Sequence, residues 1–223
     1  MPPTQPPESD SLRNDAPPAY ILAGGRSVRF GSDKARAVVE GQTLIAHVAH
    51  AVSQVARSVT AVAQDAGHYA DLGLATIADA AADNGPVQGL LAALIHRIET
   101  HGHGWLLLAA CDMLVADDSP YNTLLAALQV VPKDCQVVAF RTDRWHPMPG
   151  LYHTAMLPIV AAFLADGGRA FQDLLNHPAL AAFAPHTQTD PLAKLVHANT
   201  PDQLRTGLRQ RDDPTQTNPA DPT

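Results

Sequence analysis

Short apolar runs alternate along the chain with stretches whose apolar residues recur at helical spacing. Ala19 to Ala23 is apolar and stops at Gly24-Gly25, the pattern of a buried strand followed by a turn. Leu44, Ile45, Val48, Val52 and Val55 predict a helix, and Ser58 to Ala63 and Ala75 to Ala78 a second and third strand. Pro86 suits the first helical position, where its missing N–H costs nothing. Behind it Val87, Leu90, Leu91, Leu94, Ile95 and Ile98 form one stripe. Trp105 to Ala110 predicts a fourth strand ending at Cys111-Asp112, Ser119-Pro120 opens a helix, and Gln136 to Phe140 predicts a fifth strand. Met156, Leu157, Val160, Phe163 and Leu164 predict one more helix, and Phe171, Leu174 and Leu175 another. Thr200-Pro-Asp-Gln203 reads as a capping box for a last helix from Pro201 to about Leu208.

Strands separated by helices imply an α/β fold, a doubly wound and mostly parallel sheet with helices on both faces. Ligands of such sheets sit at the carboxyl ends of the strands, where Gly24-Gly25 and Asp112 both fall. Residues 1–18 and 211–223, rich in Pro, Asp and Thr or Ser, bury too little to offset ordering and are expected to be disordered tails. A single domain over residues 19–210 is expected between them.

Composition narrows the functional classes. The 223 residues carry a formal net charge of -7 with no offsetting Lys/Arg patch, which argues against nucleic acid or an anionic membrane as the partner. No apolar stretch approaches the roughly 20 residues that span a bilayer, and the N-terminus lacks the basic start and apolar core of a secretory signal. A soluble, cytoplasmic protein is expected. The two cysteines, Cys111 and Cys135, form no C-x-x-C pair. Cys111 reads as a small buried thiol, with no adjacent cation to activate it. The histidine pairs His47/His50 and His101/His103 have no third ligand near in sequence and read as exposed or packing residues.

The candidate chemistry lies in the segment after the first strand. Glycine at positions 24 and 25 lets the backbone turn sharply and present N–H groups to phosphate oxygens. Arg26, Arg29, Lys34 and Arg36 follow as the densest cationic cluster of an acidic chain, the donor set that a triphosphate needs. The spacing is neither G-x-x-x-x-G-K-[ST] nor G-x-G-x-x-G. Asp112, at a strand end, is placed to hold Mg²⁺ with phosphates and water completing the shell. Asp79, just past the third strand, can accept hydrogen bonds from a sugar hydroxyl or a base edge.

These residues resemble the molybdenum cofactor guanylyltransferases, the MobA-like branch of the nucleotidyltransferase fold, from about Tyr20 to Leu208. The resemblance rests on ordered blocks: Leu22-Ala-Gly-Gly-Arg-Ser-x-Arg29-x-Gly-x-Asp33-Lys34, Asp79 before Gly85-Pro86-x-x-Gly89-Leu90, Cys111-Asp112, Pro149-Gly-Leu-Tyr152, and Asn199-Thr-Pro-Asp-x-Leu204. It implies a Rossmann-like sheet and a reaction in which GTP and molybdopterin give the guanine dinucleotide cofactor and pyrophosphate, with Mg²⁺. By matching position, Leu22, Ala23, Gly24 and Gly25 would line the GTP site, Lys34 would contact phosphates, Asp79 the nucleoside, and Asp112 would ligate Mg²⁺. Arg29 would help neutralise the leaving pyrophosphate, and His146 and Asn199 fall on the acceptor side. Transient contact with cofactor-delivery proteins or molybdoenzymes stays open. The chain departs from the family where an asparagine often follows the second strand (Val62 here), in Cys-Asp-Met-Leu114 for Cys-Asp-x-Pro, and in Phe30 for a methionine. A molybdopterin cytidylyltransferase is the alternative within the fold, and a non-catalytic nucleotide-binding protein the alternative outside it.

Overall fold

The computed structural model describes residues 15–24, 33–79, 85–115, 117–187 and 191–197. Strand β1 (Ala19–Leu22) is followed by a 3-10 turn (Lys34–Arg36), the short hairpin β2 (Val38–Val39) and β3 (Gln42–Thr43), and helix α1 (Leu44–Ser53). Strand β4 (Val59–Ala63) and a 3-10 turn (Ala70–Leu72) lead to β5 (Thr76–Ala78), α2 (Pro86–His101) and β6 (Trp105–Ala110). Beyond these come β7 (Met113–Val115), α3 (Ser119–Ala127), β8 (Val137–Arg141), β9 (Trp145–His153), α4 (Leu157–Ala165), α5 (Phe171–Leu175), β10 (Ala182–Phe183) and β11 (Leu195–His197). The capping box and last helix expected at 200–208 lie outside the described residues, as do residues 1–14 and 211–223 of the expected tails.

Seven of these strands form one sheet in the order β10-β8-β9-β6-β1-β4-β5. The β1, β4, β5 and β6 pairings are parallel, as is β10 on β8, whereas β9 runs antiparallel to both β6 and β8. The sheet is therefore mostly parallel, as the alternation of elements predicts.

The strand interiors are buried on both faces, which is why their sequences read as unbroken apolar runs. Ala19 and Ile21 of β1, with Leu107 and Ala109 of β6, pack against Leu44, Ile45, Val48 and Val52 of α1. Tyr20 and Leu22, with Leu106 and Leu108, face Val87, Leu90 and Leu94 of α2 instead. The two-residue period of the strands thus splits the core into one cluster per face.

Three features depart from the sequence pattern. Pro17 and Pro18, assigned to the N-terminal tail, are buried, and their carbonyls accept from Arg57 N at 3.4 Å and Leu107 N at 2.9 Å, so the folded body starts ahead of Ala19. Strand β9 is unexpected, because Pro147 and Pro149 break strand periodicity. The sheet accommodates them in a bulge: Phe140 pairs with His146 and Ala139 with Gly150, leaving residues 147–149 without partners on β8. The Tyr152 hydroxyl donates to the Pro147 carbonyl at 2.6 Å, and a Cβ at Gly150 would fall 2.6 Å from that same oxygen. The block Pro149-Gly-Leu-Tyr152 is explained by this packing. The third departure is on α2, where Ile95 is exposed while Arg97 is buried. Arg97 donates to the carbonyls of Trp105, Gly102 and His103, closing the turn from α2 into β6. The carbonyls of this turn need donors, and that need overrides the apolar stripe.

Arg97→Leu is expected to lower the unfolding free energy by about 2–3 kcal/mol, because three carbonyls of the turn lose their charged donor. Urea denaturation checks this, and an unchanged midpoint would show that the turn closes without the guanidinium.

Candidate functional site

Register at the carboxyl edge of the sheet brings distant segments together. Leu22 stands opposite Val62 on β4 and Ala110 on β6. The ladder runs one step further on each side: Ala23 N donates to the Val62 carbonyl at 2.9 Å, and Cys111 N to the Leu22 carbonyl at 3.0 Å. Gly24 and Asp112 therefore emerge side by side. Gly24 is exposed, and a Cβ there would meet nothing within 4 Å, so the backbone is open to close approach.

Lys34 arrives from the far end of the glycine-rich segment. Asp33 caps its 3-10 turn, with Oδ1 accepting from Ala35 N at 3.0 Å. The Lys34 ammonium lies 2.8 Å from Asp112 Oδ2, and the two side chains are 15% and 29% exposed. Two opposite charges this close in a partly buried setting attract more strongly than they would in water. Any phosphate or cation that enters must compete with that pair.

Asp79 follows β5, its N–H donating to the Ala63 carbonyl at 2.6 Å, and its side chain is buried. It faces the first turns of α2. A Cβ at Gly89 would lie 2.9 Å from Leu22 Cδ2, 3.6 Å from Asp79 Oδ2 and 3.7 Å from Val62 Cγ1. The missing side chain lets α2 approach the ends of β1 and β4. Gly85, at φ 87°, carries the chain into the helix with the Arg169 carbonyl 3.2 Å from its own Cβ position.

The chain matches the MobA-like NTP transferase domain over residues 19–188. It belongs to that family. A protein of Synechococcus elongatus described as a probable molybdenum cofactor guanylyltransferase is 32% identical over 189 residues, covering 82% of this chain and 93% of its own. One of Deinococcus radiodurans with the same description is 38% identical over 152 residues, covering 68% of this chain and 75% of its own. Among solved structures, the molybdopterin-guanine dinucleotide biosynthesis protein A of Archaeoglobus fulgidus is similar in fold, with a TM-score of 0.68 at 21% identity, covering 86% of this chain and 97% of that one.

In this MobA-like domain, six of the expected site residues share one edge: Leu22, Ala23, Gly24, Lys34, Asp79 and Asp112. Gly25, Arg29, Arg26, Phe30 and Asn199 lie outside the described residues. Arg36 does not join Lys34: its guanidinium forks onto Asp71 at 2.7 and 2.9 Å and stacks 5.2 Å from the Tyr69 ring centre. The cationic cluster is divided because a 3-10 turn, with its three-residue period, sends neighbouring side chains in different directions. Val62 lies inside β4 rather than after it, buried against the Leu22 side chain and α2, and the first residue past the strand is the exposed Gln64. Leu114 is buried in β7, which pairs with β11 and so fills the place of the missing proline with strand. His146 is on β9, with Nε2 2.9 Å from Thr142 Oγ1. The imidazole Nε2 of His47 contacts the Val39 carbonyl at 2.9 Å, and among the described residues no group of three or more His, Cys, Asp or Glu converges on one point. Tyr69 is the residue that sequence reasoning missed. Its only signal is a large aromatic in the polar, glycine-containing turn Ala66-Gly-His-Tyr69.

Cys111 is half-buried beside Asp112, and its thiol is pushed up to about 12, chiefly by burial and then by the Asp112 charge. Near neutral pH the thiol therefore keeps its proton. Iodoacetamide is expected to leave Cys111 unmodified in the native protein while alkylating it after denaturation, read by intact mass; rapid native alkylation would contradict this environment. Gly89→Ala is expected to leave the melting temperature almost unchanged, since helix propensity gains what the displaced Leu22 methyl loses. It should weaken nucleotide binding by roughly 5-fold or more by displacing the Leu22 side chain at the candidate edge, a change that calorimetric titration would detect.

Proposed function

We propose that this MobA-like domain transfers GMP from GTP to molybdopterin, forming the guanine dinucleotide cofactor and releasing pyrophosphate. The observation that carries the reading is the Lys34–Asp112 pair beside the open backbone of Gly24. The shared description of the curated relatives supports the same substrates. A cytoplasmic location belongs to the same proposal.

The donor chemistry at this edge fits Mg²⁺. Asp112 offers carboxylate oxygen, a hard ligand of the kind this ion takes. Magnesium prefers one or two carboxylates, with waters and substrate phosphates filling its shell, so a site without a protein cage suits it. When bound, the ion would shield the phosphate charges and hold them in a fixed geometry. Asp112 would hold it, and Asp79 would accept a hydrogen bond from the nucleoside. Gly24, with Leu22, Ala23 and Gly25, would let backbone N–H groups approach the phosphates. Arg29 would sit with the leaving pyrophosphate.

An oxygen of the acceptor's terminal phosphate forms the new bond to the α-phosphorus as the bond to the β-phosphate bridge breaks. The electron pair leaves on pyrophosphate, and no protein nucleophile takes part. Catalysis of such a transfer is positioning and charge stabilisation. Lys34 would turn its ammonium from Asp112 to the negative charge building on the transferred and leaving groups.

Pyrophosphate release with Mg²⁺ and molybdopterin is expected to favour GTP strongly over CTP, ATP and UTP. Lys34→Ala should lower turnover by roughly 10²-fold or more, and Asp112→Ala should abolish it. A preference for CTP would move the protein to cytidylyl transfer, and GTP binding without pyrophosphate release would make it a binding protein.

A further inference from the structure

The Tyr69 hydroxyl stands between the two ends of the glycine-rich segment. It lies 3.1 Å from Asp33 Oδ2 and 3.3 Å from Oδ1 on one side, and 3.4 Å from the Ala23 carbonyl on the other. Ala23 directly follows β1, and Asp33 is where the chain returns to place Lys34. We propose that Tyr69 is a positioning residue for Lys34, tying the exit of the segment to the turn that follows β4.

Several observations carry this. Tyr69 is only 1% exposed, so it acts through neighbours rather than by touching substrate. Burial, with the Asp33 charge beside it, pushes its pKa well above the ordinary tyrosine value, so the hydroxyl keeps its proton and donates. One proton serves one acceptor at a time, and the carboxylate is both nearer and charged. Asp33 is thereby held while its Oδ1 also caps Ala35 N at 3.0 Å. The cap orients the turn from which Lys34 reaches Asp112.

Tyr69 is anchored in turn. Its N–H donates to Thr76 Oγ1 at 3.3 Å, at the start of β5, and its carbonyl accepts from Leu72 N at 3.0 Å. The Arg36 guanidinium covers its ring and also donates to the His68 carbonyl at 2.7 Å. His68 adds a contact to Asp33, Nε2 to Oδ2 at 3.2 Å. The turn after β4 thus grips the turn that carries Lys34, and the Tyr69 hydroxyl is the donor at the centre of this grip.

The consequence for catalysis rests on the guanylyl transfer proposed above, whereas the tie itself does not. Tyr69→Phe removes the hydroxyl and keeps the packing volume. Two measurements test it. Amide hydrogen exchange at Ala35, read by NMR, is expected to quicken about 10-fold with the melting temperature nearly unchanged. Turnover of GTP with molybdopterin should fall about 10-fold, with KM for molybdopterin unmoved, and the substitution should cost nothing further in a Lys34→Ala background. Unchanged Ala35 exchange, or an equal loss with and without Lys34, would overturn the proposal. A wild-type protein that releases no pyrophosphate would count against guanylyl transfer, and the exchange measurement would then decide the tie by itself.

Discussion

Leu22 is held between Val62 and Ala110 by parallel ladders on both sides, and the site is a consequence of that register. Because β1 is buried on both faces, a slip of one residue would send Tyr20 into the α1 cluster and Ile21 into the α2 cluster. The cost of such a slip keeps the ends of β1, β4 and β6 level. Gly24, Gln64 and Asp112 then leave the sheet at one edge, although far apart in sequence. The α2 helix can start there only because Gly89 leaves room for the Leu22 side chain.

Onto this edge the chain brings one positive and one negative group. Lys34 and Asp112 are joined across 78 positions of sequence at 2.8 Å. Partly buried charges are costly when single and tolerable when paired. The pair keeps both groups in place, and on the proposed function an incoming triphosphate with its cation would replace it with like chemistry, ammonium to phosphate and carboxylate to metal. The network of Asp33, Tyr69, His68 and Arg36 lies behind Lys34 and restricts where it can go. Rigid support behind a reacting group lets it stabilise charge without reorganising at the moment of reaction.

Much of this was legible in the residues, and the reasons differ by element. β1, β4, β6 and β8 were readable because burial on both faces leaves continuous apolar runs between helices. β9 was not, since its prolines sit in a bulge that only pairing with β8 reveals. On α2, periodicity assigned Ile95 to the core and overlooked Arg97, whose burial is dictated by the carbonyls of a turn that follows it. That Gly24, Lys34 and Asp112 meet at one edge was readable because each follows a strand end or a glycine turn. Tyr69 was not, because its contact with Asp33 spans 36 positions and no periodicity connects them. The division of Arg36 from Lys34 was hidden for a similar reason, since adjacency in sequence does not specify direction on a 3-10 turn.

On the proposed mechanism, Lys34 and Asp112 hold each other in the place where substrate and metal will hold them. A crystal structure with Mg²⁺ and a GTP analogue that resists α-phosphorus attack tests this most directly. The expected result is the Lys34 ammonium on a phosphate oxygen and Asp112 on the metal, with the two side chains drawn apart. An intact Lys34–Asp112 pair, with the triphosphate bound elsewhere on the sheet, would contradict it.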